Sequence, residues 1–474
     1  MPSQHVAVQP RDGPLIRWMQ SRVILRGDLL RAYADDFGFG LMNFFASLPR
    51  LSLAFAAIGR GTGLFLRIDK CILVPFFPSV LTVAAHFLLH SDGWNLCSAG
   101  LAGKYLGFFL GPAAPDHVWL RPLARCARIA LQIRAEGLGL VRSALLFNQR
   151  AAAMMSFVAQ LFIPPQKVLL RYSHIAQSIT RMPYNTFTSR ILFQGRDCGL
   201  GYEVIPLNLL SLAARFRLSV SSEVRDVVSE IDEMRFGDGL LAARLPVWRA
   251  DHVGPLSCEQ VHEARSDPLL QHLRHHSPER IQAAAFRVLR RDRAREPLVA
   301  YIGTRTRRWL DLATDGAVEL CLSRLSSISQ AGHAHLSTTV LRTLLRGWCT
   351  SSRLGIRRDA PCIFGCGGVD KIEHMMACPA LWCTSLLDLL LPLGLPPSCA
   401  ERTYALLLLS PRPARFADRP LWDVACACIL DAVHFAFNQR RRGCSPDATP
   451  FALIRARLAE LSRRSSRLRW ALEF

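Results

Sequence analysis

The sequence predicts an α+β protein that is mostly helical. Three features predict this class: an acidic pair between two short apolar segments near the N-terminus, helical spacing of apolar residues from Trp119 onward, and a segment rich in Cys and Gly between Pro361 and Pro379. The chain has 474 residues, of which 50% are hydrophobic and 20% charged. It is therefore long enough for two or three domains and too apolar to be wholly disordered.

The chain is strongly basic. Its 58 Lys and Arg residues exceed its 37 Asp and Glu residues, which gives a formal net charge of +21. A field of this sign attracts nucleic acid or an anionic membrane surface. Nearly all of the positive charge is Arg, a bias that a GC-rich genome also produces. The charge therefore indicates an anionic partner, whereas the choice of Arg adds little.

Cysteine usage and the N-terminus indicate an intracellular protein. The 15 cysteines are scattered along a long chain, which is unlike a small disulfide-stapled secreted domain. Residues 1–13 contain no apolar signal-peptide core. The apolar run from Cys71 to Leu89 is interrupted by two prolines and a histidine, so we predict buried core there and no membrane span.

Several short elements are predicted before residue 111. Residues 29–41 read as two short strands with Asp35 and Asp36 at the turn between them. A helix capped by Ser47 follows and ends at the glycines of 59–63. Alternating residues at 64–69 weakly indicate a strand, and 104–110 is another strand candidate.

The remainder of the chain is predicted to be helical with a few interruptions. Pro164 and Pro165 end one helix and begin another. The other features are a turn-rich connector at 195–201, a linker at 236–254, a strongly basic segment at 278–309, and closing helices near 421–441 and 451–470.

The acidic pair has a chemical interpretation and a structural one. Adjacent carboxylates on a tight turn are hard oxygen ligands that suit Mg²⁺, and two-metal nucleotidyl transfer uses such ligands. The structural alternative is an acidic turn, in which Asp is common. The residues around the pair favour the first interpretation, because Tyr33 and Ala34 precede it and Phe37 and Gly38 follow.

Tyr33-Ala34-Asp35-Asp36 resembles the YADD catalytic turn of non-LTR (LINE-like) retrotransposon reverse transcriptases. The segment 63–71 is similar to the next motif of that family, a strand of the form GL-x-(L/V)-N-x-x-K, with Asp69 at a variable position. Tyr105-Leu106-Gly107 resembles the YLG of the primer-grip hairpin. The three motifs follow the family's order and approximate spacing, and the resemblance covers about residues 14–215.

The resemblance implies roles for individual residues. Asp35 would be the main Mg²⁺ ligand and Asp36 a secondary one. Lys70 would lie near the incoming triphosphate. The YLG residues Tyr105, Leu106 and Gly107 would position the primer end, and Tyr33 would lie beside the catalytic turn. The partners would be an RNA template and a DNA primer or target, in the nucleus or in a cytoplasmic ribonucleoprotein.

The same resemblance implies that part of the palm is missing. The family places a further catalytic aspartate, a nucleotide-holding motif and the fingers well upstream of the YADD turn, so we expect this chain to be inactive alone. The implied fold is a partial reverse-transcriptase palm with a β-hairpin, a helical thumb, a zinc knuckle and a helical C-terminal region. The segments are a half palm at 1–118, a thumb at 119–235, a basic helical linker at 236–345, the zinc knuckle at 346–384 and the C-terminal region at 385–474.

A second candidate site lies in the Cys- and Gly-rich segment. Cys362, Cys366, His374 and Cys378 form the pattern C-x3-C-x7-H-x3-C. Three thiolates and one imidazole suit a closed structural Zn²⁺ site. Chance clustering is the alternative in a chain with 15 Cys and 14 His, and Cys383 is a spare ligand if Cys378 is not used. The segment is similar to the CCHC element downstream of the polymerase in non-LTR retrotransposons.

Two basic surfaces also indicate nucleic acid. The arginines of 280–308 would supply salt-dependent phosphate contacts, unless they form an ordinary solvated helix face. The last helix is basic and amphipathic, a pattern that favours docking on the domain over membrane or nucleic-acid binding. A non-catalytic RNA- or DNA-binding protein derived from the retroelement is therefore the alternative to a polymerase.

Overall fold

The computed structural model divides the chain into two compact units. One is formed by residues 1–122 with 218–257, and the other by residues 123–217 with 258–474. The predicted linker at 236–254 lies outside the residues that the structure describes. The described residues are 18–19, 29–33, 36–63, 65–105, 108–183, 185–220, 278–291, 296–311, 313–357, 359–396, 398–417, 419–444, 447–466 and 469.

The first unit combines small sheets with short helices. Its three sheets have two strands each among the described residues. In chain order its elements are β1 (Leu29–Tyr33), β2 (Asp36–Gly40), α1 (Phe44–Thr62), a 3₁₀ turn (Ile68–Lys70), β3 (Ile72–Leu73), a 3₁₀ turn (Pro78–Val80), α2 (Leu81–Leu89), β4 (Ser98–Ala99), β5 (Gly103–Tyr105), β6 (Phe108–Leu110) and α3 (Ala114–Val118).

The predicted pair of strands around the acidic residues is confirmed. β1 and β2 are antiparallel, with Leu29 opposite Gly40 and Tyr33 opposite Asp36. The aromatic rings of Phe37 and Phe39 both meet Phe55 of α1 edge to face, at 6.0 Å between centroids. The hairpin is therefore packed on the helix that follows it.

Helix α1 ends as predicted but begins earlier. Its N-cap is Asn43, whose side chain accepts a hydrogen bond from the amide of Ala46 at 3.2 Å. The predicted cap, Ser47, is fully buried inside the helix. Asn is as good a cap as Ser, and the aromatic pair at 44–45 can start the helix once Asn43 satisfies its first amides. Gly63, with φ of 73°, ends the helix in the left-handed conformation.

The strand predicted at 64–69 is wrong for the residues that the structure describes. The chain instead forms the 3₁₀ turn Ile68–Lys70, closed by a hydrogen bond from the Cys71 amide to the Ile68 carbonyl at 3.0 Å. Arg67 donates to the Asp69 carboxylate at 2.8 Å. This local pair between residues two apart holds the chain in a turn, although apolar residues alternate there.

The apolar run at 71–89, predicted to be buried core, is only partly buried. Ala84 and Leu88 are buried, but Phe76 is 62% exposed and Phe77 is 54% exposed. Its helix, α2, has only 9 residues. Proline at 75 and 78 confines the helix to the end of the run, so one face packs inward and the other stays at the surface.

The second unit is helical throughout its described part. Its α-helices are α4 (Leu120–Ala135), α5 (Leu140–Leu146), α6 (Ala153–Ala159), α7 (Gln166–Ser178), α8 (Ser189–Phe193), α9 (Leu207–Val220), α10 (Pro278–Arg291), α11 (Glu296–Thr306), α12 (Asp315–Ile328), α13 (Ala334–Leu344), α14 (Ser351–Leu354), α15 (Ile372–Ala377), α16 (Thr384–Leu390), α17 (Cys399–Leu406), α18 (Leu421–Arg441) and α19 (Pro450–Arg464).

Helix α18 is the centre of this unit. It packs against α12, α13, α17 and α19. It is also the one described helix that is long and apolar enough to cross a membrane, but 83% of its apolar stretch is buried inside the unit. Two aspartates in it are paired with arginines: Asp423 with Arg412 at 2.6 Å, and Asp431 with Arg457 at 2.8 Å. These are the features of a core helix, and the helix predicted at 421–441 is confirmed.

The closing helix docks on this core, as predicted. α19 ends at Arg464, earlier than expected, and buries Ile454 and Leu461 fully. The helices predicted as a thumb pack with those further along the chain, since α5 contacts α13.

Candidate functional sites: a Cys3His metal centre and an acidic hairpin

The two N-terminal ligands of the candidate zinc site lie on a tight loop. Pro361 and Val369 bridge the loop as an antiparallel pair, and the Cys362 amide donates to the Gly368 carbonyl at 2.7 Å. Gly365 and Gly367 have φ of 72° and 81°, a left-handed conformation that favours glycine. The sequence between the cysteines therefore folds back on itself without a regular element.

The other two ligands come from helix α15. His374 lies within this helix, and Cys378 follows directly at its C-terminal end. Gly368 of the loop lies against the His374 ring, since a Cβ placed there would be 2.1 Å from Cε1 of the imidazole. Glycine at 368 is thus what allows the loop and the helix to approach.

The four ligand atoms converge. Sγ of Cys362 and Sγ of Cys378 are 3.8 Å apart, and Sγ of Cys366 and Sγ of Cys378 are 3.5 Å apart. Nε2 of His374 lies 3.0 Å from Sγ of Cys366, and all four atoms are within 4.8 Å of one another. Tetrahedral Zn²⁺ with Zn–S bonds of about 2.3 Å separates its sulfur ligands by about 3.8 Å. The group could hold zinc, and it uses Cys378 in preference to Cys383.

Burial shifts the pKa values of three of the four metal-free ligands, Cys362, His374 and Cys378. It raises the pKa of Cys378 to about 12 and also raises the pKa of Cys362. Burial lowers the pKa of His374, and the charge of Lys371 lowers it further, so the imidazole is kept neutral. Zinc binding would therefore displace thiol protons, whereas the imidazole is ready to coordinate.

A buried ion pair attaches the metal loop to the helical core. Asp370, which is fully buried, accepts from Arg441 of α18 at 3.1 Å and from the Ser351 amide of α14 at 2.8 Å. Arg441 also donates to the Ser351 hydroxyl at 3.0 Å. The sequence gives little indication of this contact, because its only local sign is the acidic residue inside the Cys/His segment.

At the turn of the acidic hairpin, the structure describes only the backbone of Tyr33 and Asp36. Tyr33 ends β1 and Asp36 begins β2, opposite one another. Asp35 and Ala34, and the side chains of Tyr33 and Asp36, lie outside the described residues. The Mg²⁺ site at Asp35 and Asp36 therefore stays a prediction.

The YLG motif forms a hairpin that touches the hairpin of the acidic pair. β5 and β6 are antiparallel, with Tyr105 opposite Phe108, while Leu106 and Gly107 between them lie outside the described residues. The Tyr105 ring rests against Gly38 of β2: a Cβ at Gly38 would lie 3.1 Å from Cζ of Tyr105. Two motifs separated by about seventy residues are thus brought together. Lys70 is exposed at the end of its 3₁₀ turn, and its predicted role stays a prediction.

Several arginines of the predicted basic segment already have protein partners. Arg290 bonds to Glu203 at 2.7 Å and to Asp197 at 3.2 Å. Arg307 bonds to Asp315 at 2.7 Å. These two are therefore structural. The side chains of Arg280, Arg291, Arg293 and Arg295 lie outside the described residues.

Comparisons of the chain with known protein families, with curated proteins and with solved structures find no match.

Proposed function

We propose that the chain is part of an RNA-directed DNA polymerase of a non-LTR retrotransposon. The contact between Tyr105 and Gly38 carries this proposal, because it joins the hairpin of the YADD sequence to the hairpin of the YLG sequence. In such a polymerase Asp35 and Asp36 would hold Mg²⁺, which would stabilise the attacking and leaving oxygens of nucleotidyl transfer. The substrates would be an RNA template and a DNA primer or target, in the nucleus or a cytoplasmic ribonucleoprotein.

Primer extension with Mg²⁺ tests this proposal. The resemblance covers only motifs from the YADD turn onward, so we expect the chain alone not to extend a DNA primer on an RNA template. If an open frame upstream of the Met1 codon encodes the further aspartate and the fingers, the longer chain should extend the primer, and Asp35→Ala should abolish its activity. Extension by the present chain, lost on Asp35→Ala, would contradict the expected inactivity but support the polymerase. If Asp35→Ala leaves the activity of the longer chain unchanged, the polymerase proposal is wrong.

The second candidate function is non-catalytic binding of RNA or DNA. The Cys3His group favours it, because a zinc ion held by Cys362, Cys366, His374 and Cys378 would order a loop within a chain of net charge +21. Such binding would depend on salt, since phosphate contacts release counterions.

A pair of variants separates the two functions. Binding to labelled RNA and DNA should survive Asp35→Ala but fall on Cys362→Ser or after treatment with a zinc chelator. If neither Cys362→Ser nor the chelator weakens binding, the zinc element does not contribute to this function.

A further inference from the structure

Arginines from separate helices of the second unit gather around one tyrosine. The Arg190 guanidinium lies 5.0 Å from the centroid of the Tyr301 ring, and that of Arg305 lies 5.8 Å from it. The Tyr301 hydroxyl donates to the Thr188 hydroxyl at 3.0 Å, which fixes the ring. Arg305 donates to the carbonyls of Thr186, at 2.9 Å, and Asn185.

These contacts position the two guanidinium groups without neutralising them. A tyrosine ring and backbone carbonyls carry no net charge, so Arg190 and Arg305 keep theirs. This differs from Arg290 and Arg307, which are paired with carboxylates in the same basic segment. Within the basic segment the structure thus separates the structural Arg290 and Arg307 from Arg305, and it adds Arg190 from an earlier helix.

More positive charge surrounds Arg305. Burial lowers the pKa of Arg305, and the charge of Arg308, an exposed residue, lowers it further. Burial also lowers the pKa of Arg353, and the positive charges of Arg305 and Arg346 lower it further. Gathering like charges on a half-buried surface costs free energy, and such a cost is typical of a site that binds an anion.

The candidate zinc element adjoins this group. Arg346 bonds to Glu373 at 2.8 Å, and Glu373 is the residue before His374 in helix α15. The helix that carries two zinc ligands therefore also holds one of the arginines. We call Arg190, Arg305 and Arg308 the arginine surface, and Arg346, which pairs with Glu373, connects its neighbourhood to the zinc element.

We propose that the arginine surface binds the phosphodiester backbone of RNA or DNA, beside the zinc element, whose Glu373 holds Arg346. Guanidinium groups bind phosphate oxygens in pairs of parallel hydrogen bonds. The three come from α8, α11 and the turn that follows α11, so they suit a chain of phosphates better than a single one. The inference rests on the second candidate function, nucleic-acid binding.

Fluorescence anisotropy with labelled single-stranded RNA, single-stranded DNA and duplex DNA tests the proposal in the full chain with zinc. The test variant is Arg190→Gln with Arg305→Gln. The matched control is Arg415→Gln with Arg419→Gln, which removes the same charge. Arg415 is a close match, because it also donates to a backbone carbonyl, that of Pro392 at 2.8 Å, and stacks on an aromatic ring, Phe416 at 4.9 Å.

The test variant should bind about tenfold more weakly at 0.1 M salt, and its slope of log affinity against log salt should fall by about one for each arginine. The control variant should change the affinity and the salt slope far less. The test and control variants should both keep their bound zinc and their circular dichroism spectrum. A test variant that matches the control overturns the arginine surface but leaves the second candidate function standing. A wild-type chain that binds none of the three nucleic acids overturns both.

The three nucleic acids distinguish RNA from DNA as the source of the phosphates. Vesicles of phosphatidylserine supply a different anionic surface. If the vesicles bind and the test variant weakens only that binding, the surface recognises lipid and the proposal is wrong.

Discussion

Gly368 illustrates how one residue decides whether a metal site can form. It lies between a cysteine ligand and the helix of the histidine ligand, and the imidazole occupies the space where a side chain would be. The pattern C-x3-C-x7-H-x3-C supplies the ligand types, but the close approach of loop and helix depends on the absent Cβ at this position. The glycine is thus as important to the site as the ligands.

Replacing Gly368 should disrupt the metal centre. In Gly368→Ala the new methyl group would collide with the His374 ring, so the ring must move and zinc affinity should fall at least tenfold. The loss of zinc affinity is measured as the zinc content that remains after dialysis against a series of chelators of increasing zinc affinity. Gly139→Ala is the control, because a Cβ there meets nothing within 4 Å. Full zinc retention by Gly368→Ala would show that the imidazole is not held at this distance.

At the scale of elements, two tertiary contacts organise the candidate sites. One is the ion pair of Asp370 with Arg441, which ties the metal loop to the last turn of α18. The other is the Tyr105 ring on Gly38, which ties β5 to β2. The strands and helices were largely predictable from apolar spacing, but these contacts join residues about seventy positions apart, and no local pattern encodes them.

Removing the buried carboxylate should destabilise the second unit. Asp370→Asn leaves the Arg441 charge without its partner inside the protein, and breaking such a pair costs about 3 kcal/mol. Urea unfolding of the zinc-loaded chain measures the loss. Asp359→Asn serves as the control, because its pair with Arg357 lies at the surface and is screened by solvent, so no measurable change is expected. Equal midpoints for the two variants would contradict the anchoring role of Asp370.

A larger side chain at Gly38 should separate the two hairpins. In Gly38→Val the added carbons would meet the Tyr105 ring, so β5 must shift and its amides should exchange with solvent faster. Hydrogen exchange followed by mass spectrometry reports this at 103–110. Gly61→Ala is the control, since a Cβ there meets nothing and should stabilise helix α1 by about 0.5–1 kcal/mol. Unchanged exchange at 103–110 in Gly38→Val would mean that the hairpins do not depend on this contact.

For the whole molecule, the Cys3His group that could bind zinc belongs to a large helical unit and not to an isolated knuckle. Its loop is bonded to α14 and α18, and the core of α18 is covered by helices from several parts of the chain. The local sequence resembles a small zinc element, and such elements fold only with their metal. Here the surrounding helices have their own apolar core.

Zinc removal should therefore loosen one side of the second unit and spare its centre. With a chelator, amides of 351–354 and of the last turn of α18 should exchange faster, because Asp370 no longer holds Ser351 and Arg441 in place. Amides in the middle of α18, at 425–433, should keep their protection, since that stretch is fully or nearly fully buried. Collapse of protection throughout the unit would instead show that the metal supports the whole core.

The sequence by itself determined the mostly helical class, the pair of strands around the acidic residues and three of the four ligands of the Cys3His group. These depend on local periodicity, on turn residues and on ligand chemistry, all of which a chain displays along its length. Tertiary structure alone decided that Cys378 rather than Cys383 joins the cluster, that Asp370 pairs with Arg441, and which arginines of the basic segment pair with carboxylates. Each of these depends on which distant group lies nearby, because burial and pairing are properties of three-dimensional neighbours.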